Sequence, residues 1–298
     1  MLTNFDDVDR SGVGVKQNAL YEVDVVGRSS IMEREEKASD NKSCESWNCR
    51  PDTAEVSRIR SAYAQWERTR GPIVTGDPRH RLRLLERNTR LEKILAERFP
   101  RPVSSCRILD IGCGRGSLLH WFHDEGAPPG NLFGIDLLPD RIKSARETDP
   151  DITFIEGSAE QPNFSNESFD LVAVFTVFSS ILDGTMARRV AREIERVLVR
   201  NGAVIWYDMR YPSPRNRHIR AMTKSRIRQL FPSFDLELKS DTLVPPLARL
   251  FGSTTGTYRL ISAIPLLRSH YLGLLRPPDS LTVGAHGPDY TRVEKSRS

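Results

Sequence analysis

Cysteine is scarce in this chain of 298 residues, which holds four. Cys44, Cys49, Cys106 and Cys113 stand at spacings that match neither a disulfide framework nor a zinc ligand set. His120 and His123 share a helical spacing but lack a third ligand, which indicates a solvated helix face and no metal site. The sequence therefore predicts ordinary thiols and gives no support to a disulfide-stapled or zinc-stapled module.

Long apolar runs are missing as well. No stretch approaches the roughly 18 apolar residues that a membrane span needs. The acidic opening MLTNFDDVDR lacks the positive and apolar regions of a secretory signal, and there is no internal repeat or low-complexity tract. We expect a cytoplasmic protein without a membrane span, whose hydrophobic content of 38% is enough for one large domain with appendages.

Acidic residues are concentrated at the N-terminus. Residues 1–52 hold seven Lys/Arg against eleven Asp/Glu, a net of −4, so the remainder carries +9. A basic body favours anionic partners, such as nucleic acid, phosphorylated sugars or a membrane surface. Because residues 1–52 are polar and lack sustained periodicity, they predict a disordered tail. We expect a second flexible tail at residues 279–298.

Two helical patterns precede the core, at residues 54–70 and 79–99. In the second, Glu86 and Arg90 are spaced to pair, and four apolar residues share a face: Leu84, Leu91, Leu95 and Phe99. We interpret residues 53–100 as lid helices.

Strands and helices alternate in the next segment, residues 101–278. Runs such as LVAVFTVF are typical of parallel strands buried on both faces. The fold class predicted is a doubly wound, Rossmann-like α/β sheet. Strands are expected at residues 107–111, 132–137, 152–156, 171–177, 203–209, 234–243 and 270–276, and helices at residues 117–125, 139–147, 185–200 and around 247–267.

The helix predicted at residues 185–200 has clear start and stop signals. Asp183 can cap its beginning, and Asn201 with Gly202 supplies a left-handed stop. Its apolar face consists of Met186, Val190, Ile194 and Val197.

A glycine-rich turn follows the first strand in RILDIGCGRGSLL. Gly112, Gly114 and Gly116 give G-x-G-x-G, whereas a dinucleotide fingerprint requires its third glycine where Ser117 stands. Asp110 would lie close to the negative charge of a pyrophosphate and suits a positively charged ligand better. A nicotinamide dehydrogenase is thus disfavoured, although the turn alone does not exclude one.

Five motifs follow in order: ILDIGCGRG, GIDLLPDRI, FIEGSAEQPNF, SFDLVAVFTVFSSILD and EIERVLVRNGAVIWYD. This ordered set resembles the class I S-adenosylmethionine-dependent methyltransferases. The resemblance implies a seven-stranded sheet whose last strand, SHYLGLLRP, is antiparallel. Four stretches are also similar to a bacterial subgroup that is associated with glycan and secondary-metabolite clusters and has mostly unassigned acceptors: LLPDRI, FTVFSSILD, WYDMRYPSPRN and RSHYLGLLRP.

The resemblance also implies S-adenosylmethionine as cofactor and assigns its contacts. Asp110 would lie near the methionine ammonium, and Asp136 would accept both ribose hydroxyls. The remaining cofactor residues implied are Gly112, Gly114, Gly116, Leu137, Ser158, Ala159 and Phe175. Ser158 departs from a common family pattern, which has an acid there. The alternatives stay open that the glycines serve only the turn and that Asp136 caps the helix at Pro139.

Asp208, at the end of the fifth strand, is the candidate catalytic base for a hydroxyl acceptor. Its alternative is a structural carboxylate that pairs with Arg210 or caps a turn.

Residues 207–230 hold seven basic residues against the single acid Asp208. We expect Arg210, Arg217 and Tyr211 to contact the substrate, the arginines as a clamp for phosphate or carboxylate. By contrast, Lys224, Arg226 and Arg228 are interpreted as the solvated face of a helix that packs on Ile227 and Phe231.

The sequence favours a methyltransferase that acts on a small polar acceptor, most simply by O-methylation. RNA methylation is the alternative that the basic body supports, but the chain lacks an Asn/Asp-Pro-Pro-Tyr/Phe motif and a Pro-Cys. A non-catalytic methyltransferase-like partner protein is the third.

Overall fold

A seven-stranded mixed sheet organises the part of the chain that the structure describes, with strand order β3-β2-β1-β4-β5-β7-β6. The computed structural model describes residues 53–70, 78–212, 216–244, 261 and 263–278. β7 is antiparallel to both of its neighbours, β5 and β6, whereas the other pairs are parallel. The strands are β1 (Ile108–Ile111), β2 (Leu132–Asp136), β3 (Thr153–Glu156), β4 (Phe169–Phe175), β5 (Leu198–Met209), β6 (Asp235–Leu243) and β7 (Arg268–Arg276). The predicted doubly wound, Rossmann-like fold is confirmed.

Helices cover both faces of this sheet. They are α1 (Ala54–Arg70), α2 (Pro78–Arg98), α3 (Ser117–Asp124), α4 (Pro139–Thr148), α5 (Gly184–Val197) and α6 (Lys224–Leu230). One buried cluster joins the sheet to α2, α3 and α4 through residues such as Leu91, Phe122 and Ile142. The other joins it to α1, α5 and α6 through Ile59, Val190 and Ile227. Burial of these apolar faces accounts for the helix positions better than intrinsic propensity does.

The boundary between α5 and β5 corrects the sequence prediction. Asp183 caps α5 as expected, since its carboxylate accepts the amides of Thr185 and Met186 at 2.7 Å. The helix ends at Val197, however, and Gly202 lies inside β5 instead of forming a left-handed stop. A Cβ on Gly202 would lie 2.8 Å from the Asp170 carbonyl oxygen, so this glycine permits close packing of strands.

Charge pairing on α2 also extends beyond the helix. Arg90, expected to pair with Glu86, forms an ion pair with the buried carboxylate of Asp241 in β6. This pair ties α2 to the antiparallel end of the sheet.

Three predicted segments lie outside the described residues, wholly or mainly: the tail at 1–52, the helical stretch around 247–267 and the tail at 279–298. The last three residues of the middle segment form a short 3-10 helix, Pro265–Leu267. No helix in the described ranges is long and apolar enough to cross a membrane.

The order of the strands along the sheet reverses between β1 and β4. These two strands are parallel neighbours, so their carboxyl ends lie at the same edge of the sheet. In open α/β sheets the carboxyl ends of the strands at such a reversal form the ligand crevice. The glycine turn after β1 lies at this edge.

Candidate functional site

The turn between β1 and α3 is built from three glycines in the left-handed region, with φ of 72° at Gly112, 57° at Gly114 and 83° at Gly116. L-residues with a Cβ adopt this region at a cost. The Gly112 amide donates to the Ile135 carbonyl at 2.7 Å, which ties the turn to β2. The backbone amides of the turn therefore stand at the beginning of α3, where a helix favours anionic or polar ligand groups.

Packing inside the protein requires two of the three glycines, whereas at Gly114 only the left-handed backbone favours glycine. A Cβ on Gly112 would lie 2.8 Å from Val177, and one on Gly116 would lie 2.7 Å from the Phe154 ring. A Cβ on Gly114 would meet nothing within 4 Å. Gly112 and Gly116 are thus explained by packing within the turn, as the alternative without a ligand expects. Gly114 borders open space, which a ligand could occupy.

Asp110 is a buried carboxyl group at the end of β1, 2% exposed. Its Oδ1 atom has no hydrogen-bond partner in the described part of the chain. Burial, reinforced by the negative charge of Asp136, raises the pKa of Asp110 well above its ordinary value, and Arg87 opposes this. An unpaired acceptor of this kind is costly, so a ligand cation or donor that reaches it gains a strong interaction.

Asp136, at the end of β2, holds the glycine turn and the next connection together. Its Oδ2 accepts the Gly114 amide and its Oδ1 accepts the Leu138 amide, both at 2.9 Å. The contact with Leu138 forms a local turn just before α4. It supports the alternative that Asp136 serves the beginning of this helix. Each carboxylate oxygen keeps a further lone pair.

The residues implied for the adenine corner lie beyond β3, next to the end of β2. The Gly157 amide donates to the Asp136 carbonyl at 3.0 Å. Ser158 Oγ accepts the Glu160 amide at 3.3 Å, while Ala159 packs against the edge of a buried cluster. Ser158 is thus engaged with its own turn.

Helix α1 crosses the carboxyl edge of the sheet. Arg60 donates to the Leu137 carbonyl at 3.2 Å, beside the end of β2. Tyr63 shares a hydrogen bond of 2.9 Å with Ser180, which follows β4. These contacts place α1 over the connections that border the crevice between β2 and β4.

Arg87 of α2 was missed by the sequence reasoning. Its guanidinium lies 5.0 Å from the centroid of the Phe175 ring and 5.7 Å from that of Tyr207. Burial lowers the pKa of Arg87, and the nearby Tyr207 and Asp110 oppose this. The signal was present, because an arginine between Leu84 and Leu91 interrupts the apolar face of α2.

Asp208, the candidate base, is buried at the end of β5 and 1% exposed. Its Oδ2 accepts the Ser179 amide at 2.9 Å and its Oδ1 accepts the Met209 amide at 2.7 Å. Burial raises the pKa of Asp208 to about 6, although these hydrogen bonds oppose the rise. The carboxylate therefore holds the connection after β4, and its role as base stays a prediction.

Of the predicted substrate residues, Arg210 and Tyr211 lie together, whereas Arg217 does not join them. Arg210 donates to the Pro265 carbonyl at 3.0 Å, and its guanidinium lies 4.5 Å from the Tyr211 ring centroid. Tyr211 donates to the Leu266 carbonyl at 3.3 Å. Arg217 is exposed, and no contact joins it to Arg210 among the described residues. An acceptor clamp there stays a prediction, whereas the α6 prediction is met, since Ile227 and Phe231 are fully buried.

The residues at the crevice fit an adenosine cofactor with a positively charged amino-acid end. Asp110 offers an unpartnered acceptor to a cation, and the glycine turn leaves room at Gly114. Asp136 lies at the second strand end, where hydroxyls of a ribose can donate to it.

Comparison with known sequences points to the same class of cofactor. Residues 108–202 match a family described as a methyltransferase domain. Aklanonic acid methyltransferase DauC of Streptomyces sp. (strain C5) is 36% identical over 94 residues, which cover 29% of this chain and 43% of that protein. A ubiquinone biosynthesis O-methyltransferase of Azorhizobium caulinodans is 29% identical over 157 residues, covering 49% and 59% respectively. The chain spans about half the length of these relatives.

Solved structures share the fold. A SAM-dependent methyltransferase from Archaeoglobus fulgidus superposes with a TM-score of 0.50 at 14% identity, over 72% of this chain and 99% of the other. At this identity the likeness concerns the fold alone. The match of residues 108–202, the curated relatives and the shared sheet together show that the chain carries a class I S-adenosylmethionine-dependent methyltransferase domain.

Proposed function

We propose that this chain transfers a methyl group from S-adenosylmethionine to an oxygen atom of a small polar acceptor. The observation that carries the proposal is the unpartnered Oδ1 of buried Asp110 beside the open glycine turn. When bound, the cofactor supplies an electrophilic methyl group on a sulfonium.

Charges at the crevice suit the amino-acid end of that cofactor. We propose that Asp110 accepts the ammonium and that Arg87 pairs with the carboxylate. In support, Arg87 interacts electrostatically with Asp110 and lies over the Phe175 ring. Opposite charges on neighbouring elements would fix the orientation of a zwitterion. Asp136 is proposed to accept the ribose hydroxyls on its remaining lone pairs.

Helix α1 is proposed to act as a lid. Glu55 accepts the Leu182 amide at 2.5 Å, and Arg58 donates to the Ser180 carbonyl at 2.5 Å, so the beginning of α1 is anchored to the connection after β4. Arg60, in the first half of α1, donates to the Leu137 carbonyl, and Glu67, near the other end of α1, pairs with Arg141 of α4 at 2.8 Å. A helix held at both ends excludes water from the reacting groups, which methyl transfer requires.

An oxygen acceptor is supported by the relative from Azorhizobium caulinodans, which is an O-methyltransferase by name. The proposal is tested by calorimetry with S-adenosylhomocysteine, followed by mass analysis of acceptor panels incubated with S-adenosylmethionine. Binding together with a methylated small molecule supports it. Methylation confined to RNA would replace it with the nucleic-acid alternative, and binding without any product would favour the non-catalytic partner protein.

A further inference from the structure

A row of rings beneath α2 crosses the carboxyl ends of β4 and β5 and the amino end of the antiparallel β7. The Phe175 and Tyr207 ring centroids are 5.2 Å apart, and Tyr207 stacks on His270 with centroids 4.6 Å apart and planes 2° from parallel. Since neighbouring strands are about 4.8 Å apart, His270 lies two strands from Phe175 on the side away from Asp110. The row therefore runs from Phe175, a proposed cofactor contact, through Tyr207 to His270, away from Asp110.

Hydrogen bonds fix the proton of Tyr207. Its hydroxyl lies 2.6 Å from Thr242 Oγ1, and that hydroxyl donates to Asp241 Oδ2 at 3.1 Å. Thr242 has one proton to give, so Tyr207 must donate to Thr242. Burial also raises the pKa of Tyr207. Tyr207 is thus held as a neutral donor to Thr242 and takes no proton from an acceptor.

Hydrogen bonds around Ser269 also favour one tautomer of His270. Ser269 Oγ donates to the Thr242 carbonyl at 3.1 Å, and it lies 2.8 Å from His270 Nδ1. A carbonyl only accepts, so we assign the single Ser269 proton to it, and in this assignment Nδ1 of His270 carries the proton that Ser269 accepts. Nε2 then holds the lone pair, and no described residue bonds to it.

Backbone strain marks the same place. Thr176, which follows β4, has a φ of 57°, and Thr242, at the end of β6, has a φ of 59°. Both contact Tyr207: the Thr176 amide donates to its carbonyl at 2.7 Å, and Thr242 receives its hydroxyl proton. β-Branched residues adopt this region rarely, and such strain concentrates at functional sites.

We propose that His270 Nε2 is the general base of the acceptor site, and that the acceptor carries an acidic group besides the hydroxyl that is methylated. This inference rests on the proposed function. As the acceptor oxygen bonds to the methyl carbon, the carbon–sulfur bond breaks and its electron pair stays on sulfur. The hydroxyl proton passes to Nε2 and then to solvent.

The charges around His270 give the reason for an acidic acceptor. Burial, followed by the positive charges of Arg83 and Arg87, lowers the pKa of His270 to about 4. The other groups that face it are Tyr207 of β5, Arg268 of its own strand, and the Asp241–Arg90 pair. An acceptor anion beside Arg83 offsets that arginine and raises the pKa of His270 toward the working pH, where a base is most effective.

The tautomer is tested without any ligand, on the full chain labelled with ¹⁵N-histidine. Two-bond ¹H–¹⁵N correlations, assigned by the loss of one set in His270→Gln, should show a neutral ring protonated on Nδ1 from pH 6 to 9. Arg83→Gln should raise the pKa of this ring by roughly half a unit or more. A ring protonated on Nε2, or positively charged at pH 7, would overturn the proposal.

Catalysis is tested with S-adenosylmethionine and a panel of hydroxybenzoates and aliphatic hydroxy acids, with the uncharged methyl esters as matched probes. With a reactive acid, His270→Gln should lower kcat about 100-fold at pH 7, and rising pH should restore part of it. His123→Asn, on α3, is the matched histidine control and should change neither kcat nor its dependence on pH. Affinity for S-adenosylhomocysteine should stay within about threefold in both variants.

The outcomes separate the two proposals. If the wild type does not bind S-adenosylhomocysteine, the proposed function itself is contradicted. Intact binding with no product from the acids, with product only from the esters, or with a normal kcat in folded His270→Gln contradicts the inference about His270.

Discussion

The Asp136 carboxylate accepts the Gly114 amide at 2.9 Å, which joins the end of β2 to the glycine turn after β1. Asp136→Ala removes this tie and the ribose contacts proposed for the same oxygens. We expect its affinity for S-adenosylhomocysteine to fall by at least about 2 kcal/mol, roughly 30-fold, measured by calorimetry. Asp140→Ala, on the exposed beginning of α4, is the control and should bind normally. Normal affinity in folded Asp136→Ala would reduce Asp136 to a support for the turn.

Gly114 and Gly116 should respond differently to alanine. Gly116→Ala puts a Cβ 2.7 Å from the Phe154 ring and should lower the free energy of unfolding by about 2–4 kcal/mol. Gly114→Ala meets no protein atom, so its loss should stay near 1 kcal/mol while its affinity for the cofactor falls about tenfold or more. Urea unfolding and calorimetry separate these effects, with Gly130→Ala as the unstrained control. Equal affinities in wild type and Gly114→Ala would show that the space beside Gly114 is not the cofactor site.

Asp110→Asn should make the protein more stable and less able to bind. Burial raises the pKa of Asp110, so the folded state takes up its proton more readily than the unfolded state, and stability falls as pH rises from the ordinary value of 3.8 to the raised one. The wild type is therefore less stable at pH 8 than its neutral form would be, and removal of the charge should raise the free energy of unfolding at that pH by roughly 1–3 kcal/mol. The difference in free energy of unfolding between variant and wild type should shrink as the pH approaches 4. Exposed Asp235→Asn should show no such gap, and a less stable Asp110→Asn at pH 8 would contradict the argument.

Asp208→Asn distinguishes the two candidate bases. The buried carboxylate already accepts two backbone amides, so we expect the variant to lose stability and to keep kcat within about tenfold. A fall near 100-fold with recovery at high pH would establish Asp208 as the base and contradict the assignment to His270.

Arg210→Ala and Arg217→Ala test whether the segment after β5 binds the acceptor. Arg210 contacts the Pro265 carbonyl and two tyrosine rings, so its removal should lower Tm by a few degrees and leave KM within about threefold. Exposed Arg217 should affect neither. A raised KM at unchanged Tm in either variant would place the acceptor clamp there, as the sequence suggested.

Sequence periodicity was enough to predict the sheet, because buried parallel strands and the stop and start residues between them leave a strong local pattern. Asp183 and the α5 face were found in this way. The end of α5 was not, because Asn201 and Gly202 resemble a helix stop, whereas pairing with β4 draws residues 198–202 into β5.

The candidate site shows the same limit. The family resemblance assigned Asp110, Asp136 and Phe175 to the cofactor, through motifs at strand ends that are local in the sequence. Arg87 and His270 depend on how α2 and β7 approach those ends, and this approach is set by packing between residues distant in the sequence. Their roles therefore became visible only in the assembled fold.

Binding of the cofactor tests the central claim most directly. In calorimetry with the full chain, S-adenosylmethionine and S-adenosylhomocysteine should each bind one site, raise Tm by mass action, and bind more weakly to Asp110→Asn, while NAD gives no heat. Binding of NAD together with no response to either adenosylated ligand would contradict the account.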